Sequence, residues 1–273
     1  QANVPADALL AQLDVARVKE RTGAYAEASA IATRIAEAAV AQKDPLLQAD
    51  AVLTRALVEW ASADYFNAFK SQRAGLQIAE DTKDRPFQII AHNTGGLIAW
   101  ALNDSETAMR ELDVALKLAQ AGLFKAEVAS TLNNRGLVYR STARYEQALV
   151  EFNAALSIDR EESNDWGVAY SQRNIGLTHI QRGSPADAIA PLEEAIRLAA
   201  AIGDRANRAK ALVAMGDARR ALAEAGPARE SYKNALNEAR AIPLPEMEWR
   251  SLYGLALLAG PTRTCPRRGN GSP

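Results

Sequence analysis

Trp60 and Trp100 stand forty residues apart, and further steps of that length lead to Arg140 and Arg220. Asn93, Asn133 and Arg173 form a second such series, and Tyr170 and Lys210 belong to a third. These residue types recognise rather than react. A carboxamide donates and accepts at once, so asparagines at regular intervals can bond both N–H and C=O of an extended main chain, whatever its side chains. Tryptophan offers a large apolar anchor, and a guanidinium grips a carboxylate through two parallel hydrogen bonds. The chemistry expected of this set is capture of a peptide segment.

No catalytic constellation competes with that reading. The sequence lacks a Gly-rich phosphate loop, a zinc-ligand pair at helical spacing and a Gly-x-Ser-x-Gly elbow. Catalytic, cofactor and metal sites are therefore not expected. The 32 basic and 33 acidic residues are mixed along the chain for a net charge of −1, which provides no footprint for nucleic acid. No apolar run is long enough to span a bilayer. The lone Cys265 excludes a disulfide framework. The chain begins at Gln1, which leaves open a leader ahead of it, and a soluble protein of either cytoplasm or periplasm is expected.

What positions these side chains is a repeat. Steps of forty give Ala16, Ala56, Gly96, Gly136, Gly176, Gly216 and Ala256, a column with nothing larger than methyl. A second column runs Ala28, Ala68, Ala108, Ala148, Ala188 and Ala228, and a third carries Leu112, Phe152, Leu192 and Tyr232. Within each period the apolar residues recur at helical spacing in two blocks, split by breakers such as Gly183-Ser184-Pro185. Each repeat is thus a helical hairpin. Asp44, Asp84, Asn164 and Asp204 precede the first helices, where a side-chain oxygen can cap unpaired N–H groups.

The fold expected is all-α: about six hairpins, over residues 7–44, 45–84, 85–124, 125–164, 165–204 and 205–244, with a capping helix over 246–258. Residues 1–260 read as one domain. The segment 261–273, with its Pro, Arg and Gly, reads as a disordered tail. Small residues let the helices of a hairpin approach while the bulky column fills the space beside them, and stacking buries what one hairpin cannot.

The columns resemble the tetratricopeptide repeat family, with Gly136, Tyr139, Tyr145, Ala148, Phe152 and Ala155 matching its signature positions best. The period exceeds the family's usual length of about 34 residues and is similar to the extended repeats of kinesin light chains and bacterial regulatory proteins. The resemblance implies a right-handed α-solenoid whose first helices line a concave groove. On that wall would stand Trp60, Trp100, Asn93, Asn133, Arg140, Tyr170, Arg173, Lys210 and Arg220, graded from apolar to basic. The implied function is a protein-protein interaction scaffold. Its ligand would be a protein or peptide with apolar residues at one end and acidic residues, or a free carboxylate, at the other, bound at roughly micromolar affinity.

The same residues admit structural roles. Trp60 and Trp100 can pack on neighbours, the asparagines can cap, and the basic set can balance acids such as Asp217. Leu57, Leu97, Leu137 and Leu177 read as core between first helices. His92 and His179 read as buried structural residues, and Asp159, Glu161, Glu162 and Asp165 as a solvated helix end. Arg55 and Arg135 depart from the family pattern, and their stems are expected to snorkel. So do Ala32 with Ile35 and Gln72 with Gly75, where bulky and small residues do not alternate as elsewhere. Two other functions fit the resemblance: a sensory or regulatory module of a larger bacterial signalling protein (cyclase, kinase or transcription regulator), and a structural unit that forms homo-oligomers.

Overall fold

The computed structural model describes residues 5–242 and 244–259. The Pro261–Pro273 segment, Cys265 included, lies outside the described residues.

Helices begin where short polar side chains take up the backbone donors. Asp44, Asp84, Asn164 and Asp204 accept from the N–H groups of Leu47, Phe87, Gly167 and Asn207 at 3.0, 2.9, 3.1 and 2.8 Å. Asp64 and Asp104 do the same for second helices, at 3.3 and 3.0 Å. The hairpins that result are α1 (Ala6–Arg21) with α2 (Tyr25–Gln42), α3 (Pro45–Ala61) with α4 (Tyr65–Asp81), and α5 (Arg85–Ala101) with α6 (Ser105–Ala121). They continue with α7 (Lys125–Ser141) and α8 (Tyr145–Glu161), α9 (Asp165–Gln181) and α10 (Ile189–Ala201), and α11 (Arg205–Ala221) and α12 (Ala225–Ala241). A 3₁₀ turn at Pro185–Ala188 leads into α10, and α13 (Pro245–Ala259) closes the series. The chain is all-α among the described residues, an α-solenoid of stacked hairpins.

The turns follow a shorter period than the packing. A residue of positive φ stands every twenty positions, from Gly23 and Lys43 through Leu123 and Ala143 to Gly203 and Ala223. Most of these are not glycine, so the left-handed backbone left little mark in the sequence. Leu123, at φ 56° and 86% exposed, gains nothing from its side chain there. Leu123→Gly is expected to raise stability by about 0.5–1 kcal/mol in denaturant titration, since glycine takes φ > 0 without a Cβ clash. An unchanged or lower midpoint would contradict this.

All six alanines of the Ala28 column are fully buried. In the later hairpins the small column meets the bulky column directly: a Cβ on Gly136 would sit 2.5 Å from the Phe152 ring, and Gly96, Gly176 and Gly216 stand likewise against Leu112, Leu192 and Tyr232. The second hairpin inverts this arrangement. There the large residue is Leu53 on the first helix, lodged against Gly75 on the second. Gln72 is buried and donates to the Ala91 carbonyl at 3.0 Å. Swapping which helix carries the bulk keeps the volume filled.

Several expectations need correction. Ala256 is exposed, and the small residue of α13 that faces the array is Gly254, against Tyr232. The register slips because α12 gives way to extended backbone at Ile242 (φ −134°, ψ 142°), where the equivalent Ile202 and Leu222 keep ψ near 0°. Asp159 is not solvated: it is 3% exposed and accepts from the Asn164 amide at 2.8 Å. Gly167 makes that possible, because a Cβ there would lie 2.3 Å from the carboxyl group. Burial holds the Asp159 carboxyl above its ordinary range, against the pull of its hydrogen bonds from Asn164 and Ser171. His92 and His179 are half-buried rather than buried, the first with Nδ1 2.7 Å from Glu111. Arg135 spans both helices of its hairpin and the preceding one, reaching Glu151 at 3.2 Å and Asp113 at 3.5 Å.

Candidate functional site

Successive first helices touch one another, α1 to α3, α3 to α5, and on to α11, whereas successive second helices make no comparable contact. A stack that is closer along one side than the other must curve toward the closer side. The first helices therefore form the inner wall.

Four of the nine candidate residues turn out to be tied into that wall. The Trp60 indole N–H donates to the Leu97 carbonyl at 3.1 Å, stitching α3 to α5. Asn93 donates to Thr131 Oγ1 at 2.9 Å and accepts from Asn134 at 3.4 Å. Asn133 exchanges two hydrogen bonds with Ser171, at 3.0 and 3.1 Å. Both asparagines are buried, at 8% and 4% exposure. The expectation of a main-chain clamp is corrected accordingly: their carboxamides are committed to a ladder between neighbouring first helices, where burial demands that every amide find a partner. Arg220 donates to the Tyr232 hydroxyl at 3.4 Å, and that hydroxyl donates to Asp217 at 2.7 Å. Desolvation, joined by the bond to Asp217, pushes the Tyr232 phenol up to about 12.

The ladder's other half went unread in the sequence. Thr131 and Ser171 are themselves forty residues apart and buried, a hydroxyl column five residues before the small column. That spacing was the available signal.

The remaining five residues group on the wall. Trp100 and Arg140 line a cleft of about 410 Å³ with Leu137, Tyr145 and Gln181. Arg140 reaches Asn174 Oδ1 at 3.4 Å, and Arg173 donates to Asn207 Oδ1. Arg173 also lies over the Tyr170 ring, 4.6 Å from its centre. Desolvation lowers the Arg140 guanidinium to about 10, helped by the neighbouring charge of Arg173 and opposed by Tyr170. Desolvation likewise lowers Arg173, which is buried. Lys210 is exposed as a residue, yet desolvation, helped by the charge of Arg173, lowers its ammonium too, against the pull of Glu20, Glu246 and Asp204. Among the described residues none of the three is ion-paired, whereas Arg135 and Arg208 meet Glu151 and Glu238 at 3.2 and 2.8 Å. The amide nitrogens of Asn174 and Asn207, buried beside these cations, make no hydrogen bond within the described protein.

Among the described residues no cluster of His, Cys, Asp and Glu could hold a metal ion. No described helix is long and apolar enough to cross a membrane.

An inner wall of stacked first helices, with bulky second-helix residues lodged on glycines, defines a helical-repeat solenoid. The sequence model of the tetratricopeptide repeat matches residues 127–201. Over that stretch the chain carries tetratricopeptide repeats. Solved structures of similar fold include a Rap protein complexed with Competence and Sporulation Factor (11% identity, TM-score 0.70, covering 93% of this chain and 86% of that one). BtubC from P. vanneervenii aligns at 18% identity and TM-score 0.64, over 80% of this chain and 92% of its own. NprR in complex with its cognate peptide NprX aligns at 15% and 0.61, over 92% and 70%. At these identities the likeness is one of fold. No curated protein sequence matches the chain.

Proposed function

We propose that the inner wall is a protein-interaction surface that captures an acidic peptide segment or free carboxylate at Arg140, Arg173 and Lys210. An apolar residue of the ligand enters the Trp100 cleft. The observation that carries this reading is the group of unpaired cations: two arginines are drawn out of water, and neither forms an ion pair among the described residues. A desolvated charge is costly unless a partner neutralises it, and a carboxylate ligand would do so while accepting from the idle amides of Asn174 and Asn207. The complex of the similarly folded NprR with its cognate peptide supports a peptide ligand. A role as regulatory module in a larger signalling protein draws support from the same direction, since a further structure in that group is the quorum sensor NprR from B. thuringiensis.

Calorimetric titration with two pools of synthetic peptides tests the proposal, one apolar with acidic C-terminal residues and a free carboxylate, the other neutral and amidated. Binding at roughly micromolar affinity by the first pool, at least tenfold tighter than by the second, is expected. Equal binding, or none by either pool, would sink the reading.

A further inference from the structure

The first hairpin of the array meets the fifth. Arg21, the last residue of α1, places its guanidinium carbon 5.0 Å from the ring centre of Trp166 at the start of α9. Trp166 stacks on Tyr170 at 5.4 Å with an interplanar angle of 18°. The opposite end of this column is Arg173, over the Tyr170 ring at 4.6 Å. A file of cation, two aromatic rings and cation therefore runs from the first helix to one of the lumen cations. The Trp166 indole N–H is anchored independently, donating to Asp204 at 3.1 Å.

The charges around the column tell of the same closeness. Burial raises the Glu20 carboxyl, while Arg21 and Lys210 of α11 draw it back down. Tyr25 is raised by burial, with Glu20 and then Glu246 of α13 adding to the effect. The C-terminal end of α1 thus touches α9 and lies within electrostatic reach of α11, although the three hairpins from α3 to α8 intervene along the chain. Curvature accumulated over those hairpins has carried the superhelix once around.

This seam differs in kind from the other contacts of the solenoid. Neighbouring hairpins share buried aliphatic clusters such as Leu9, Leu13, Ile35 and Leu47. The seam rests on one exposed guanidinium over a partly exposed ring, and on charges that face each other without forming an ion pair. It is the contact that parts with least disruption to the rest.

We propose that the end of α1 is a latch: Arg21 docked on Trp166 closes the inner wall into a ring, and its release opens a lateral entry to the cationic lumen without unfolding any hairpin. The latch follows from the contact between α1 and α9, and only its consequence for ligand entry rests on the peptide-binding reading. In that reading a segment need not thread the ring end-on, because the wall itself parts.

The test is a distance measurement on the full chain without ligand. With Cys265→Ser as background, cysteines replacing Val18 and Ile202, which are 58% and 40% exposed and outside the column, carry nitroxide labels. Pulsed electron resonance then reads the separation of the first and fifth hairpins. The parent protein should give a dominant short distance. Arg21→Ala should raise the ratio of long to short distances about two- to fivefold, equivalent to about 0.5–1 kcal/mol. Arg21→Lys, which keeps a cation over the ring, should fall between them, and Trp166→Ala should match Arg21→Ala. Since Arg21 is an exposed helix-terminal residue, Arg21→Ala tests the latch without threatening the fold. Distance distributions for Arg21→Ala and Trp166→Ala that superimpose on the parent's would overturn the proposal. That outcome would leave peptide capture standing, and a failed peptide titration would leave the latch standing.

Discussion

Phe152→Ala is expected to destabilise the protein by about 3–5 kcal/mol, the usual range for emptying a fully buried aromatic site. Phe152 has no exposed surface and sits in a cluster with Leu137, Leu149, Leu156 and Val168. The cavity cannot easily collapse, because the residue facing the ring is Gly136, which has no side chain to move in. Position in the array compounds the loss. In a solenoid each hairpin is held mainly by its neighbours, and this one lies in the fourth of six hairpins. Weakening it should uncouple the two ends. Urea denaturation followed by circular dichroism should show a lower midpoint together with a shallower or two-step transition. A loss below about 1 kcal/mol with a single sharp transition would show that the hairpins do not depend on this contact.

Arg173→Met is expected to weaken binding of the acidic peptide pool about ten- to hundredfold, the worth of a hydrogen bond to a charged group. Folding stability should shift by no more than about 1 kcal/mol. The two halves of that expectation have one cause. Arg173 is buried without an ion-paired carboxylate, so its removal strands no opposite charge, and methionine refills most of the volume of its stem. What is lost is the contact over Tyr170 and the bond to Asn207. Calorimetry on the variant, with a thermal melt alongside, checks both. Unchanged affinity would remove Arg173 from the site, and a collapsed melt would make it a structural residue instead.

Much of the wall was legible in the residues. The small column and the bulky column, four positions at steps of forty in the later hairpins, recur because each hairpin meets the same neighbour in the same geometry, so the same side-chain volume is needed each time. Where the solution differs, the columns become hard to read. Leu53 against Gly75 fills the same space from the other helix, and a column search treats that as irregularity. The asparagines were harder still. Asn93 and Asn133 hold the right face for ligand contact, and residue type alone does not reveal that Thr131 and Ser171 on adjacent helices reach them first. Asp159 was obscured by its surroundings in sequence: in a run of charges it looks solvated, until Gly167 is seen to leave it room inside.

The period of forty, the hairpin as its unit, the polar caps that start helices and the basic character of the later inner wall were determined by the sequence alone. Each depends on residues within one hairpin or on its immediate neighbour, and such short-range demands are written locally. Only the tertiary structure decided which cations remain without an ion partner and that Arg21 closes on Trp166. The first depends on which side chains of the adjacent helices reach each cation, the second on the small rotation between hairpins summed over several of them, and no single residue carries that sum.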